Sequence, residues 1–417
     1  MYIPRRSCLF GLMSLSLAGC MAGGAPMSMP SARPAPMRPE PNPAFDAWKA
    51  QFRNRALGAG VAQNIVDSAL NDAGFLPDVI ARDRRQTEFT RTFEDYINAI
   101  AVTEERIVAG RAALSRHGAT LRAIEARYGV EAEIITAIWG LESRYGAERG
   151  DIPVISALAT LAFDGRRGAF FESQLIAALR ILQRGDTSIS NLRGSWAGAM
   201  GHTQFIPTTF EEYAVDYTGN GRRDIWGEDP GDALASAANY LSRMGWRRGQ
   251  PWGVEVRLPD GFNTGLAGRG TTRSVTDWTA LGIRDINGRA VADHGPASLL
   301  LPDGPRGPAF VIFRNFTTLL RYNNSEFYVI GIGHLADRFR GGGPIRGSFQ
   351  PDRFGLRLGD RQEMQRLLTR AGFDTQGVDG VIGPNTEAAI RAYQQASGQP
   401  VTGQPSRGLL EQLRRTI

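Results

Sequence analysis

The sequence predicts a mainly α (α+β) chain: a long helical part, a small β-rich insertion and a C-terminal bundle of three helices. Three observations carry this. From Phe45 onward, apolar residues recur at three- and four-residue spacing between Gly and Pro breaks. Between Pro251 and Phe316 the pattern changes to short apolar segments such as WGVEVRL and PAFVIF, separated by Gly, Pro and Asp turns. After the glycine-rich GGGPIRGSF, from about Arg353, three short amphipathic helices surround the loop Asp379-Gly380-Val381-Ile382-Gly383-Pro384. At 417 residues the chain is long enough for two or three packed units, each burying a core of its own.

In chain order, the first twenty residues read as an export signal: Arg5 and Arg6, an apolar run from Cys8 to Ala18, then Leu17-Ala18-Gly19-Cys20. The run is too short to span a membrane. Small residues before a cysteine at its end resemble the bacterial lipoprotein box, in which cleavage leaves Cys20 as a lipidated N-terminus. With Cys8 removed, no cysteine pair remains for an internal disulfide. Losing Arg5 and Arg6 takes the formal charge from +6 to +4. Met21 in place of an aspartate favours the outer membrane by the rule for such lipoproteins, so a periplasmic protein anchored there is expected. Residues 21–44, rich in Ala, Pro, Met, Gly and Ser, read as a disordered tether. Lys49 is the only lysine, so almost all positive charge is arginine, which suits bidentate capture of carboxylates. It forms no long basic runs, and nucleic acid is not an expected partner.

Residues 45–345 begin with FDAWKAQFRNRALG, VAQNIVDSALNDAGF, EFTRTFEDYINAIAV and ERIVAGRAALSRHGATLRAIEARYG, all helical in pattern. Tyr96 lies on the third and reads as a core aromatic. The stretch EAEIITAIWGLESRYGAERGD, residues 131–151, organises the rest. Ile135, Ile138, Glu142 and Tyr145 fall at i, i+3, i+7 and i+10, placing the acid on an apolar, inward helical face. The neighbours at three and four positions are Ile138, Trp139, Tyr145 and Gly146, so no basic residue along this helix pairs with it. A carboxylic acid in such surroundings is held neutral, as a general acid requires. A buried glutamate paired with a distant arginine is the equally open reading.

Beyond it come the helix VISALATLAF, the pair Arg166-Arg167 and a helix from Phe170 to Leu182. The stretch GSWAGAMGHTQFIPTTF, residues 194–210, is dense in small residues that let backbones approach closely; Gln204 offers an amide that donates and accepts, and Pro207 opens a helix. In DYTGNGRRDIW, Asp216, Thr218 and Asn220 with the Arg222 carbonyl match alternate positions of a calcium loop, with Gly221 at the turn. Position 12 is Gly227, so closure needs Asp229 or Asp232; an Asn-Gly turn without metal is the other reading. Tyr240 ends the next helix, and after the β-rich insertion at about 251–316 the helix of RYNNSEFYVIGIGHLADRF follows, with Asn323 or Asn324 as its expected N-cap.

The C-terminal segment, residues 353–417, resembles the three-helix peptidoglycan-binding domain, through Asp379-Gly380, Gly383-Pro384, Thr386 and Tyr393-Gln394. The middle resembles the membrane-bound lytic murein transglycosylase B family in five blocks: GLESRYG, FDGRRGAFF, SWAGAMGHTQFIPTTF, the Asp216 loop with AANYL, and RYNNSEFY. That resemblance implies a lysozyme-like core and a single catalytic acid/base, Glu142. It implies a glycan cleft lined by Tyr96, Ser195, Gln204, Phe205, Tyr240, Tyr322, Asn323 and Tyr328, with Arg166 and Arg167 holding stem-peptide carboxylates. The implied substrates are the glycan strands and stem peptides of peptidoglycan, the implied product has a 1,6-anhydromuramic end, and a cell-wall synthesis or division complex is the expected assembly. No cofactor is required, and a structural calcium on Asp216, Thr218, Asn220, Arg222 and Asp232 is a candidate. The rival readings are a hydrolytic muramidase with Asp164 or Asp216 as second carboxylate, and a non-catalytic wall-bound scaffold. A zinc hydrolase is disfavoured, because His117, His202, His294 and His334 lack close spacing.

Overall fold

The structure, a computed structural model, describes residues 37–85 and 91–417. The expected export signal with Cys20, and most of the expected tether, lie outside them. Among the described residues no helix is long and apolar enough to cross a membrane. The chain divides into two compact units, residues 1–89 with 113–244, and residues 90–112 with 245–417. The C-terminal bundle therefore shares a unit with the β-rich part.

In the first unit, α1 (Pro43–Gly58) starts because Asn42 accepts the Phe45 amide at 3.0 Å and Pro43 supplies the first helical position. Residues 37–44, expected to belong to the tether, are among the described residues and are partly held in contact with the rest of this unit. The Glu40 amide donates to the Phe75 carbonyl at 2.9 Å, and Pro39 sits so close to Gly74 that an added Cβ there would come within 2.5 Å. Phe45, Trp48, Phe52, Phe75 and Phe163 form an aromatic core at centroid separations of 5.3 to 6.4 Å. Lys49 caps α2 (Gln63–Asn71) beyond its end by donating to the Ala73 carbonyl at 2.9 Å. After α3 (Pro77–Arg85), the segment ERIVAGRAALSRHGATLRAIEARYG forms two helices broken at His117: α4 (Glu104–Arg116), whose residues up to 112 belong to the second unit, and α5 (Gly118–Tyr128).

The centre of this unit is α6 (Ala132–Ser143), in which only Glu133, Leu141 and Glu142 are not buried. A helix apolar on all sides is enclosed by its neighbours. The short strand β1 (Ile152–Pro153) leads into α7 (Val154–Asp164) and α8 (Gly168–Arg184), then pairs antiparallel with β2 (Arg193–Gly194). The helices α9 (Pro207–Tyr213), with Pro207 at its first position as expected, and α10 (Gly231–Arg243) complete the unit.

The second unit opens with a π-helical segment, Asp95–Ala101. Its sheet runs β4-β6-β7-β3-β5, all antiparallel, from β3 (Gly253–Arg257), β4 (Thr272–Arg273), β5 (Arg284–Asp285), β6 (Ala297–Leu300) and β7 (Ala309–Ile312). Within it α11 (Val275–Ala280) is nucleated by a capping box between Ser274 and Asp277. Trp278, Ile283, Leu299 and Val311 fill the core beneath. The expected N-cap Asn323 or Asn324 is corrected. Asn323 ends α12 (Arg314–Tyr322), and Ser325 caps α13 (Glu326–Phe339) by accepting the Tyr328 amide at 3.3 Å. The C-terminal bundle is α14 (Leu358–Arg370), α15 (Pro384–Ala396) and α16 (Arg407–Thr416), closed on Met364, Ile390, Tyr393 and Leu410.

Candidate active site

Glu142 is half-buried in the last turn of α6. The expectation that Tyr145 shares its helical face is corrected, because the helix stops at Ser143. Arg144, Tyr145 and Gly146 follow at φ 48, 58 and 87, three successive left-handed residues that turn the chain back sharply. Such backbone is strained for residues other than glycine, and strain of this kind collects at functional sites. The reversal folds Tyr145 over Gly140: a Cβ on Gly140 would meet Tyr145 Cζ and Oη at 2.6 Å. Ser143 braces the turn, its Oγ donating to the His202 carbonyl at 2.6 Å and accepting the Gly146 amide at 3.0 Å.

His202 joins this turn to the loop after α9. The indole N–H of Trp139 donates to His202 Nδ1 at 3.0 Å, and an indole nitrogen can only donate. The ring proton is therefore on Nε2, which donates to the Gly227 carbonyl at 2.7 Å. Burial pushes the His202 pKa down, with the nearby Arg149 charge a lesser cause in the same direction, so the neutral tautomer is the resting one. Arg149 adds a bond to Gly227 O at 2.8 Å and reaches Glu228 at 2.7 Å.

The stretch 194–205 makes two tight bridges, Gly194 to Met200 and Met200 to Phe205. Its glycines serve contact of backbone with backbone: a Cβ on Gly194 would lie 2.1 Å from the Ala199 carbonyl, and one on Gly201 2.2 Å from that of Ile225. Ser195 Oγ accepts the amides of Ala197 and Ala199 at 3.3 and 3.0 Å. Gln204, at φ 51, donates from Nε2 to the carbonyls of Arg149 (3.0 Å) and Gly201 (2.8 Å). Its Oε1 is buried and no described residue donates to it. Phe205 and Tyr240 are both buried, their ring centroids 6.1 Å apart.

Residues 44–337 of this chain match the model of the family described as transglycosylase SLT domain. The chain belongs to the transglycosylase SLT family. Residues 357–413 match a putative peptidoglycan binding domain. The membrane-bound lytic murein transglycosylase B of Escherichia coli is 30% identical over 303 residues, which cover 66% of this chain and 81% of that protein. Among solved structures, SltB3 of Pseudomonas aeruginosa in complex with NAG-anhNAM-pentapeptide is 47% identical at a TM-score of 0.73, covering 89% of this chain and all of that one. The Escherichia coli lytic transglycosylase Slt35 in complex with calcium is 30% identical at a TM-score of 0.60, covering 72% of this chain and 93% of its own.

In this transglycosylase the arginine pair is directed by a carboxylate that sequence reasoning missed. Asp83, 1% exposed, accepts from Arg166 Nε at 2.6 Å and Arg167 Nη2 at 3.2 Å, while both guanidinium groups stay about a third exposed or more. Burying Asp83 against two cations fixes their direction and leaves donors over. In the calcium-type loop, Asp216 accepts the amides of Gly219, Asn220 and Gly221 at 2.8 to 3.1 Å. Asp232 closes the loop from the first turn of α10, accepting from Tyr217, Thr218 and Asp224 at 2.9 Å each. The oxygens of both carboxylates thus hold the loop through its own amides, and among the described residues no cluster of three or more acids, histidines or cysteines forms a metal site there. Arg223 anchors the loop through a buried pair with Asp186 at 2.6 Å.

The other expected residues lie in the second unit. Tyr96 is buried in the π-helical segment against Phe327, at 6.0 Å. Tyr322 and Tyr328 are buried and stack at 6.5 Å and 6°. The side-chain Oδ1 of Asn323 is buried and no described residue donates to it. Trp139, His202 and Arg149 had no sequence signal beyond lying in or near the matched blocks, and Asp83 had none at all, because each acts through a partner distant in the chain.

Proposed function

We propose that this transglycosylase cleaves the β-1,4 bond between N-acetylmuramic acid and N-acetylglucosamine of peptidoglycan and closes a 1,6-anhydro ring, with Glu142 as the single acid and base. The observation that carries this reading is the position of Glu142, a half-buried carboxylate ending a helix that is otherwise almost wholly enclosed. The C-terminal end of a helix disfavours added negative charge, which suits a group that must start protonated. Glu142 gives its proton to the glycosidic oxygen as the C1–O bond breaks, and the acetamido carbonyl of the muramic residue stabilises the cationic C1. The Glu142 carboxylate then takes the C6 hydroxyl proton as that oxygen attacks C1. No water is consumed, and the acid ends in its starting form. The two carboxylates that a hydrolytic route would recruit are otherwise engaged, Asp164 with Arg84 at 2.7 Å and Asp216 with its own loop.

In the first unit, Gln204 Oε1 and the Ser195 hydroxyl proton are proposed to bind the glycan near Glu142, with Phe205 and Tyr240 as supports. In the second, Asn323 with Tyr96, Tyr322 and Tyr328 are proposed to form the sugar-binding surface. The arginine pair, aimed by Asp83, would take stem-peptide carboxylates, and the complex of SltB3 with NAG-anhNAM-pentapeptide supports both parts of the substrate. No cofactor enters the reaction; calcium, when bound, would only stiffen the Asp216 loop. Lipidation at Cys20 would anchor the protein to the outer membrane, in reach of the wall. The experiment is product analysis from purified sacculi. Anhydro ends, one water lighter than reducing ends, are expected, and Glu142→Gln is expected to lower release by about a thousandfold or more while wall binding persists. Reducing ends, or an active Glu142→Gln enzyme, would overturn the assignment.

A further inference from the structure

The glycine-rich segment before the C-terminal bundle looks in sequence like a loose connection, yet the structure pins it along its length. Glu255 accepts the amides of Arg346 and Gly347 at 2.9 and 2.7 Å, and Asp303 accepts that of Gln350. Phe349 packs on Phe93 at 5.7 Å, and a Cβ on Gly347 would lie 2.7 Å from Pro308. The bundle itself is then held at its first helix. Glu94, 9% exposed, accepts the Leu358 amide at 2.8 Å. Arg361, 3% exposed, donates to Gly380 O and Asp352 within its own surroundings and to Asp95 outside them. An arginine buried this deeply is costly unless every arm is met, and Asp95 meets the last one. Asp95 is also the first residue of the π-helical segment, whose next residue, Tyr96, packs on Phe327 beside Tyr328.

We propose that Glu94 and Asp95 are positioning residues that lock the wall-binding bundle to the segment bearing Tyr96, so that bundle and sugar-contacting aromatics move as one body and the enzyme selects polymeric strands over short fragments. This rests on the proposed role of Tyr96, Tyr322 and Tyr328 in binding glycan. A rigid link presents a strand held by the bundle to the aromatics at a fixed offset, raising its effective concentration there. A fragment too short to touch both gains nothing.

The test uses the full chain carrying Glu94→Ala with Asp95→Ala, which leaves the internal bonds of the bundle intact. Release from purified sacculi is expected to fall about tenfold, while turnover of a soluble tetrasaccharide muropeptide stays at the wild-type value. Limited proteolysis within residues 341–356 is expected to speed up by a similar factor. The pair Glu94→Gln with Asp95→Asn keeps acceptor oxygens in place and is expected to recover most of the polymer preference. Equal losses on both substrates, or an unchanged ratio with unchanged proteolysis, would overturn the proposal. An inactive wild-type enzyme would instead sink the transglycosylase reading, and the proteolysis comparison would still decide the lock.

Discussion

Replacing Gly140 with alanine sets two effects of known size against each other. In a helix interior, alanine is favoured over glycine by about 1 kcal/mol, so propensity alone predicts a more stable protein. The added Cβ, however, would meet the Tyr145 ring at 2.6 to 2.8 Å, where carbon contacts settle at about 3.5–4.0 Å. The ring would have to retreat by about 1 Å, and its backbone at φ 58 and its edge contact with Trp139 at 5.8 Å resist this. Overpacking of that kind costs about 1–3 kcal/mol, so the clash outweighs the gain and leaves a net loss of roughly 0–2 kcal/mol. Activity should suffer more than stability, because Tyr145 lies in the same turn as Glu142 and a displacement near 1 Å can cost about a hundredfold. Thermal unfolding and muropeptide release, measured on one preparation, separate the two. We expect a midpoint at or slightly below wild type and turnover reduced about ten- to a hundredfold. A raised midpoint with wild-type turnover would show that the turn does not press on Gly140.

Three other outcomes are expected. Asp186→Ala strands the buried Arg223 guanidinium and should cost about 3–5 kcal/mol in chemical denaturation; a loss below 1 kcal/mol would mean that water reaches it. Burial, with Arg338 nearby, holds His334 down to about 4, below its unfolded value near 6.5, so stability should be whole above pH 6.5 and fall by about 3 kcal/mol as pH drops toward 4. His202, also lowered by burial, adds in that direction, and His334→Gln should flatten the slope. Chelator should leave turnover unchanged, while 10 mM calcium acting on a site of about millimolar affinity should add about 1.4 kcal/mol of stability. Loss of turnover in chelator would give the ion a role in the reaction.

The sequence by itself determined the helical class, the β-rich insertion and the three-helix end, and it singled out Glu142 as the candidate acid. These are local properties: periodicity, turn residues and short blocks are written in neighbouring positions. It could not determine where α6 ends, since the stop at Ser143 depends on Ser143 and Gly146 meeting His202 and on Gly140 leaving room for Tyr145. Nor could it show that Arg166 and Arg167 converge on Asp83, or that the apparent linker before the bundle is held by Glu255, Asp303, Glu94 and Asp95. Those pairings join residues tens to hundreds of positions apart, and only tertiary packing decides which distant donor meets which acceptor once water is excluded.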